Sequence, residues 1–211
     1  MKKIVVIDYG IGNVKSMMNA LDGLNVSTLL TNNKQKILNS DGLILPGVGA
    51  FGKGMENLEK YNLIEILNEY VDSGKPLLGV CLGMQMLLEE SEEFKITKGL
   101  GFIKGRVKKM QIEINSKDKL PHVSWNELIT PEGKDWGGTI LNNIPTNTDV
   151  YFVHSYISMP ENNEDVLAEC EYGGTKFCAA LNKKNVYGTQ FHPEKSAKTG
   201  QKILNNFISI I

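Results

Sequence analysis

Short, mostly apolar runs alternate with amphipathic stretches over the first part of the chain. Ile4-Val5-Val6-Ile7, Val26–Leu30, Gly42–Leu45 and Leu77–Val80 are too short for helices and read as strands, the most apolar of them buried on both faces. Between them, Val14–Leu24 places Met17, Met18, Leu21 and Leu24 on one helical face, and Lys34–Asn39 reads as a short helix. Met55–Ser73 reads as one long helix with Leu58, Ile64, Ile66, Leu67 and Val71 inward, ended by Gly74. Leu82–Glu90, rich in helix formers and free of Pro and β-branched residues, continues the series. This alternation predicts an α/β fold with a largely parallel sheet and right-handed crossovers.

Beyond Glu93 the pattern changes to strands and turns. Gly101–Ile114, Lys119–Ile129 and Val150–Val153 predict strands, the last running into His154-Ser155-Tyr156. Leu167–Tyr172 and Phe177–Leu181 alternate as an antiparallel pair does, with Gly173-Gly174 in the turn. Val186–Phe191 is another strand, leading to His192-Pro193-Glu194-Lys195. A helix over Thr199–Ile210 closes the chain, and Asn115–Lys119 and Thr130–Gly138 read as exposed loops. With no repeat or linker, residues 1–211 are expected to form a single domain.

Composition narrows the chemistry. A chain of 211 residues with 41% hydrophobic and 22% charged residues is that of an ordinary soluble protein. A formal net charge of −1 argues against a nucleic-acid or anionic-membrane partner. The N-terminal apolar run is too short for a signal peptide, and no segment is long enough to span a bilayer. Three widely spaced Cys, at 81, 170 and 178, imply a reducing, cytoplasmic setting rather than a disulfide framework. With no C-x-x-C or close His/Cys pair, no metal site is expected. Gly10 and Gly12 begin a dinucleotide fingerprint but lack its third Gly, so no cofactor is implied.

The candidate chemistry centres on Gly79-Val80-Cys81-Leu82-Gly83. Cys81 stands where a strand gives way to a helix, flanked by glycines, in the G-x-nucleophile-x-G pattern of a nucleophile elbow. The alternative is an inert core thiol. A nucleophile needs a base, and His192 follows a strand directly, with Glu194 two residues on. In an extended segment residues 192 and 194 share a side, so Glu194 can orient the imidazole toward a Cys81 thiol. The glycine-dense Pro46-Gly47-Val48-Gly49 is either a plain loop or a nest of backbone donors able to hold an oxyanion.

Gly79-Val80-Cys81-Leu82-Gly83-Met84-Gln85 with Gln190-Phe191-His192-Pro193-Glu194 resembles the signature of the class I, triad-type glutamine amidotransferases, and Pro46–Gly49 matches that family's oxyanion loop. Asp8–Asn13, Pro121–Asn126 and Tyr151–Tyr156 narrow the resemblance to the glutaminase subunits of imidazole glycerol phosphate synthases, in histidine biosynthesis. The resemblance covers essentially the whole chain. It implies a three-layer, flavodoxin-like α/β fold, a mostly parallel central sheet and an antiparallel β elaboration. It implies hydrolysis of L-glutamine to glutamate and ammonia through a thioester on Cys81, with His192 as base and acid and Glu194 as its orienter. Gly47, Val48, Gly49 and Leu82 match the oxyanion hole, and Gln85, His154, Ser155 and Tyr156 the glutamine contacts. Ammonia then passes to a (β/α)8-barrel cyclase subunit in a heterodimer, with Asn13, Trp125, Asn126 and Lys195 matching that interface.

One departure stands out: Ser124 occupies a position where the family usually has Gly. Gly133–Thr139 and Phe177–Ala180 also resemble a second branch, whose members supply ammonia for sugar amidation in polysaccharide pathways. A Cys hydrolase of γ-glutamyl substrates is a further alternative, disfavoured by Gln85 and His154–Tyr156.

Overall fold

A computed structural model describes residues 1–11 and 14–211. The first half runs β1 (Lys3–Ile7), α1 (Val14–Asp22), β2 (Ser27–Thr31), α2 (Lys34–Leu38), β3 (Gly42–Leu45), α3 (Phe51–Lys60), α4 (Ile64–Asp72), β4 (Leu77–Val80) and α5 (Leu82–Met86). The second half is mainly strands: β5 (Leu88–Ser91), β6 (Thr97–Lys98), β7 (Ile103–Lys109), β8 (His122–Leu128), β9 (Thr148–His154), β10 (Tyr156–Pro160), β11 (Val166–Tyr172), β12 (Thr175–Lys183) and β13 (Val186–Thr189). Helix α6 (Ala197–Ile210) closes it.

The main sheet has the order β11-β12-β13-β4-β3-β1-β2. Strands β2, β1, β3, β4 and β13 pair in parallel, and β12 and β11 extend the sheet antiparallel. Alternation along β1 makes the three layers. Ile4 and Val6 join the core that contains Met17 and Leu21 of α1 and Ile203, Leu204 and Phe207 of α6. Val5 and Ile7 face the other way, toward Phe51, Leu58, Leu67 and Tyr70 of α3 and α4. Full burial of such side chains contributes ~1.5–3 kcal/mol each, so a central strand such as β4, with Leu77, Leu78 and Val80 covered, is held rigidly. Two smaller sheets, β10-β7-β5-β6 and β8-β9, form the elaboration.

Several expectations need correction. The helix expected over Leu82–Glu90 stops at Met86, because Leu88–Ser91 pairs with β7 and β6 instead; tertiary pairing outweighs helix propensity. The single helix expected over Met55–Ser73 is two helices, and the chain turns between them with Asn62 at φ 54°. Asn tolerates that left-handed conformation. The loop Thr130–Gly138 is not wholly exposed: Trp136 is buried and its indole N–H donates to the Leu167 carbonyl at 2.8 Å. The Gly173-Gly174 turn is as expected, with both residues at positive φ, 59° and 76°.

Candidate active site

The parallel pairing of β4 with β13 builds the site. Val80 lies opposite Thr189, so the residues just beyond the two strands meet at the carboxyl edge of the sheet. The Cys81 N–H donates to the Thr189 carbonyl at 2.7 Å. Cys81 itself has φ 54° and ψ −109°, a strained conformation for a residue with a Cβ. The flanking glycines make the turn possible. A Cβ on Gly83 would collide with the Leu45 carbonyl oxygen, and one on Gly79 would come within 2.7 Å of the Gly83 carbonyl oxygen.

His192 follows β13 and is buried. Its Nδ1–H donates to Glu194 Oε1 at 2.8 Å. Its Nε2 faces Cys81 without a well-directed hydrogen bond, as is common before substrate arrives. Burial is the largest single influence on His192 and disfavours the imidazolium. The Cys81 sulfur in front of Nε2 and the Glu194 carboxylate on Nδ1 outweigh it and raise the pKa to about 10.

Cys81 opens into a cavity of about 480 Å³ lined by Val48, Gly49, Gln85, Glu93, His154 and Tyr156, among others. A larger groove of about 770 Å³ beside α3 holds Glu56, Glu59, Lys53 and Lys98, but no nucleophile with a base. Chemistry rather than size therefore marks the smaller cavity as the site.

Inside it, hydrogen-bond polarity is set by the Tyr156 carbonyl. Gln85 Nε2 donates to that oxygen and to Gln190 Oε1, both at 3.0 Å. Gln190 Nε2 in turn donates to Cys81 Sγ at 3.8 Å. Both amide protons of Gln85 are thus used within the protein, and it offers a ligand its carbonyl oxygen, an acceptor. His154 Nδ1 also donates to the Tyr156 carbonyl, at 3.0 Å. Burial, reinforced by the other histidines, lowers the His154 pKa to about 3, so the ring is neutral. It is a wall of the cavity and not a second base.

The Leu82 N–H, expected as an oxyanion donor, is occupied. It donates to the Gly47 carbonyl at 3.3 Å. Tyr9 anchors the loop by donating from its hydroxyl to the Pro46 carbonyl at 2.6 Å. Gly49, at φ 102°, gives the segment conformational room.

Lys195 lines the cavity, and Trp125 lies on the surface beyond Tyr151. Trp125 is 49% exposed and packs edge-on to Tyr151, whose ring also lies 5.7 Å from the Lys195 ammonium. Asn126 projects from the other face of β8, toward His122. Asn13 lies outside the described residues.

Two residues escaped the sequence reading. Gln190 belonged to a recognised motif but had no assigned role. Glu93 lines the cavity and accepts from the Phe51 N–H at 2.6 Å, capping α3 next to the oxyanion loop. No local pattern marks Glu93, and only the fold brings either residue to the cavity of Cys81. Among the described residues, no cluster of His, Cys, Asp and Glu could hold a metal ion, and no helix is long and apolar enough to cross a membrane.

The profile of the class-I glutamine amidotransferases matches residues 5–211. The chain belongs to that family. It is 45% identical, over the full length of both chains, to imidazole glycerol phosphate synthase subunit HisH 1 of Legionella pneumophila (strain Lens). It is 43% identical, again over both full lengths, to the HisH subunit of Lactococcus lactis subsp. lactis (strain IL1403). The fold is shared with PurLQS from Thermotoga maritima, with a TM-score of 0.71, 18% identity, and coverage of 99% of this chain and 98% of that one. Within this amidotransferase, the strained thiol, the acid-backed imidazole and the open cavity at Cys81 are arranged for acyl transfer through sulfur.

Proposed function

We propose that this chain is the glutaminase subunit of an imidazole glycerol phosphate synthase, acting in the cytoplasm. It hydrolyses L-glutamine to glutamate and ammonia and hands the ammonia to a (β/α)8-barrel cyclase subunit for histidine biosynthesis. Cys81 attacks the side-chain amide carbon of glutamine, and the N–C bond breaks as His192 delivers its proton to the departing ammonia. Water, deprotonated by His192, then releases glutamate from the thioester. Glu194 holds the imidazole in register, and Gln85, with His154, Ser155 and Tyr156, holds the substrate. The observation that carries this reading is Cys81 at a strained elbow beside the His192–Glu194 pair, in a chain 45% identical to a HisH subunit along its whole length.

The Gly47 carbonyl on the Leu82 N–H supports a resting subunit of low activity. Partner binding turns the Gly47–Val48 peptide, which frees Leu82 and presents a second N–H to the oxyanion. Lys195, which lines the cavity, and Trp125, on the surface beyond Tyr151, form part of the surface the cyclase covers. Enclosure there keeps ammonia from water on its way to the acceptor.

The test is glutamine-dependent against ammonia-dependent synthesis by the chain mixed with its cyclase. Cys81→Ala is expected to abolish the first and spare the second. No glutamate release by the wild type with cyclase and acceptor present would defeat the proposal. Glutamate release coupled only to a sugar-amidating partner would move the chain to the other branch.

A further inference from the structure

Two buried histidines lie face to edge on the hairpin of β8 and β9. His122 and His154 are directly opposed in the antiparallel register. The His122 Nδ1 and His154 Nε2 are 3.0 Å apart. The His122 ring is clamped between Tyr172 and Phe152, with centroids at 3.9 and 4.9 Å and near-parallel planes. It is fully buried and has no contact with Cys81 among its hydrogen bonds.

Proton positions along this pair follow from one fixed acceptor. The Tyr156 carbonyl can only accept, so His154 carries its proton on Nδ1. A neutral His154 then accepts at Nε2, and the donor is His122 Nδ1–H. Burial lowers the His122 pKa as well, so its Nε2 is bare and needs a donor. The Asn126 amide is 2.9 Å away, and with its oxygen on that side two acceptors would face each other. The structure places the Asn126 oxygen on that side, where it also accepts from the Ser124 hydroxyl; a bare His122 Nε2 favours the turned amide, with its NH2 toward the ring. The same Tyr156 carbonyl holds Gln85, which orders Gln190 and, through it, the thiol.

We propose that His122 is a positioning residue of the glutamine cavity, which donates to His154 Nε2, holds that ring against the Tyr156 carbonyl and so fixes, through that carbonyl, the orientation of Gln85 toward the substrate. Asn126 and Ser124 complete the relay at its half-buried outer end. A Ser at 124 supplies a hydroxyl that Gly lacks, in hydrogen-bond contact with the Asn126 amide. The kinetic consequence rests on the glutaminase reading; the protonation pattern does not.

The first arm is a long-range ¹⁵N–¹H histidine spectrum of the wild-type chain at neutral pH. Both His122 and His154 are expected as neutral rings protonated on Nδ1. An Nε2-protonated His154, or a doubly protonated His122, overturns the proposal whether or not the chain uses glutamine. The second arm compares His122→Phe, which keeps the stacked ring, with His122→Asn, which restores one donor near the position of Nδ1. With the cyclase present, His122→Phe is expected to raise KM for glutamine about tenfold, since it leaves a buried acceptor without a partner. The fall in kcat is expected to be smaller, and the His154 Nε2 signal should shift as that nitrogen loses its donor. His122→Asn is expected to recover both. If His122→Phe does not fold, the wild-type spectrum and His122→Asn still decide. A KM within twofold of wild type in a folded His122→Phe, with His154 unchanged, overturns the assignment.

Discussion

Replacing Glu194 by Gln removes one charge and leaves an acceptor of nearly the same shape at 2.8 Å from His192 Nδ1. Holding the imidazolium to about 10 instead of 6.5 corresponds to about 5 kcal/mol. Cys81 and Glu194 supply that stabilisation, after burial has taken its opposing part. Loss of a buried partner charge at this distance lowers a pKa by ~1–3 pH units. The alkaline limb of kcat/KM for glutamine, which reports loss of the imidazolium needed to protonate ammonia, therefore moves to lower pH by that amount. At its optimum the variant loses about 10²- to 10⁴-fold in rate, the usual worth of a well-oriented acid–base group. Stability follows the same sign. The His192 contribution is complete below the unfolded value of 6.5 and is gone above about 10, so the variant is destabilised most at and below neutral pH and the deficit fades toward pH 10. Ammonia release across pH in the cyclase complex, with thermal melts at each pH, reads both effects. An unmoved alkaline limb with less than tenfold loss of rate would refute the role given to Glu194.

Gly83→Ala forces a methyl into the Leu45 carbonyl. It is expected to cost ~1–3 kcal/mol in denaturant unfolding and to abolish turnover, and a change below about 0.5 kcal/mol would contradict the close approach. Trp125→Ala is expected to weaken cyclase binding by at least about tenfold in calorimetry, as an exposed aromatic anchor does, with little change in melting temperature because the ring is 49% exposed. Adding cyclase and acceptor is expected to raise glutaminase turnover by ~10²- to 10³-fold, the worth of a completed oxyanion hole. Structures of the complex in which Leu82 N–H still donates to Gly47 would rule out the peptide switch.

What could be read in advance was local. Cys81 was legible because two glycines and a strand-to-helix change sit within a few residues, and both glycines prove to be needed for the turn. The layers followed from the spacing of apolar residues in β1, β3 and β4. His192 and Glu194 do pair, but through a 3-10 turn over Pro193–Lys195 and not the extended segment expected, and their meeting with Cys81 depends on β13 lying next to β4, which no local pattern dictates. Leu88–Ser91 misled because its helix propensity is real and is overruled by β7. Trp136 was lost in a polar stretch whose single aromatic finds the core. Glu93 and the occupied Leu82 N–H depend on contacts between distant segments, so sequence spacing carried no trace of them, while Gln190 stood in a recognised motif but its contact with Cys81 depends on the fold.

The central claim is that Cys81 becomes acylated by glutamine. Rapid acid quench of the cyclase complex during turnover, followed by peptide mass analysis, is expected to find one glutamyl group on the peptide containing Cys81, and none in Cys81→Ser read as a thioester. Full glutamine turnover with no acyl group on that peptide, or turnover surviving in Cys81→Ala, would contradict the account.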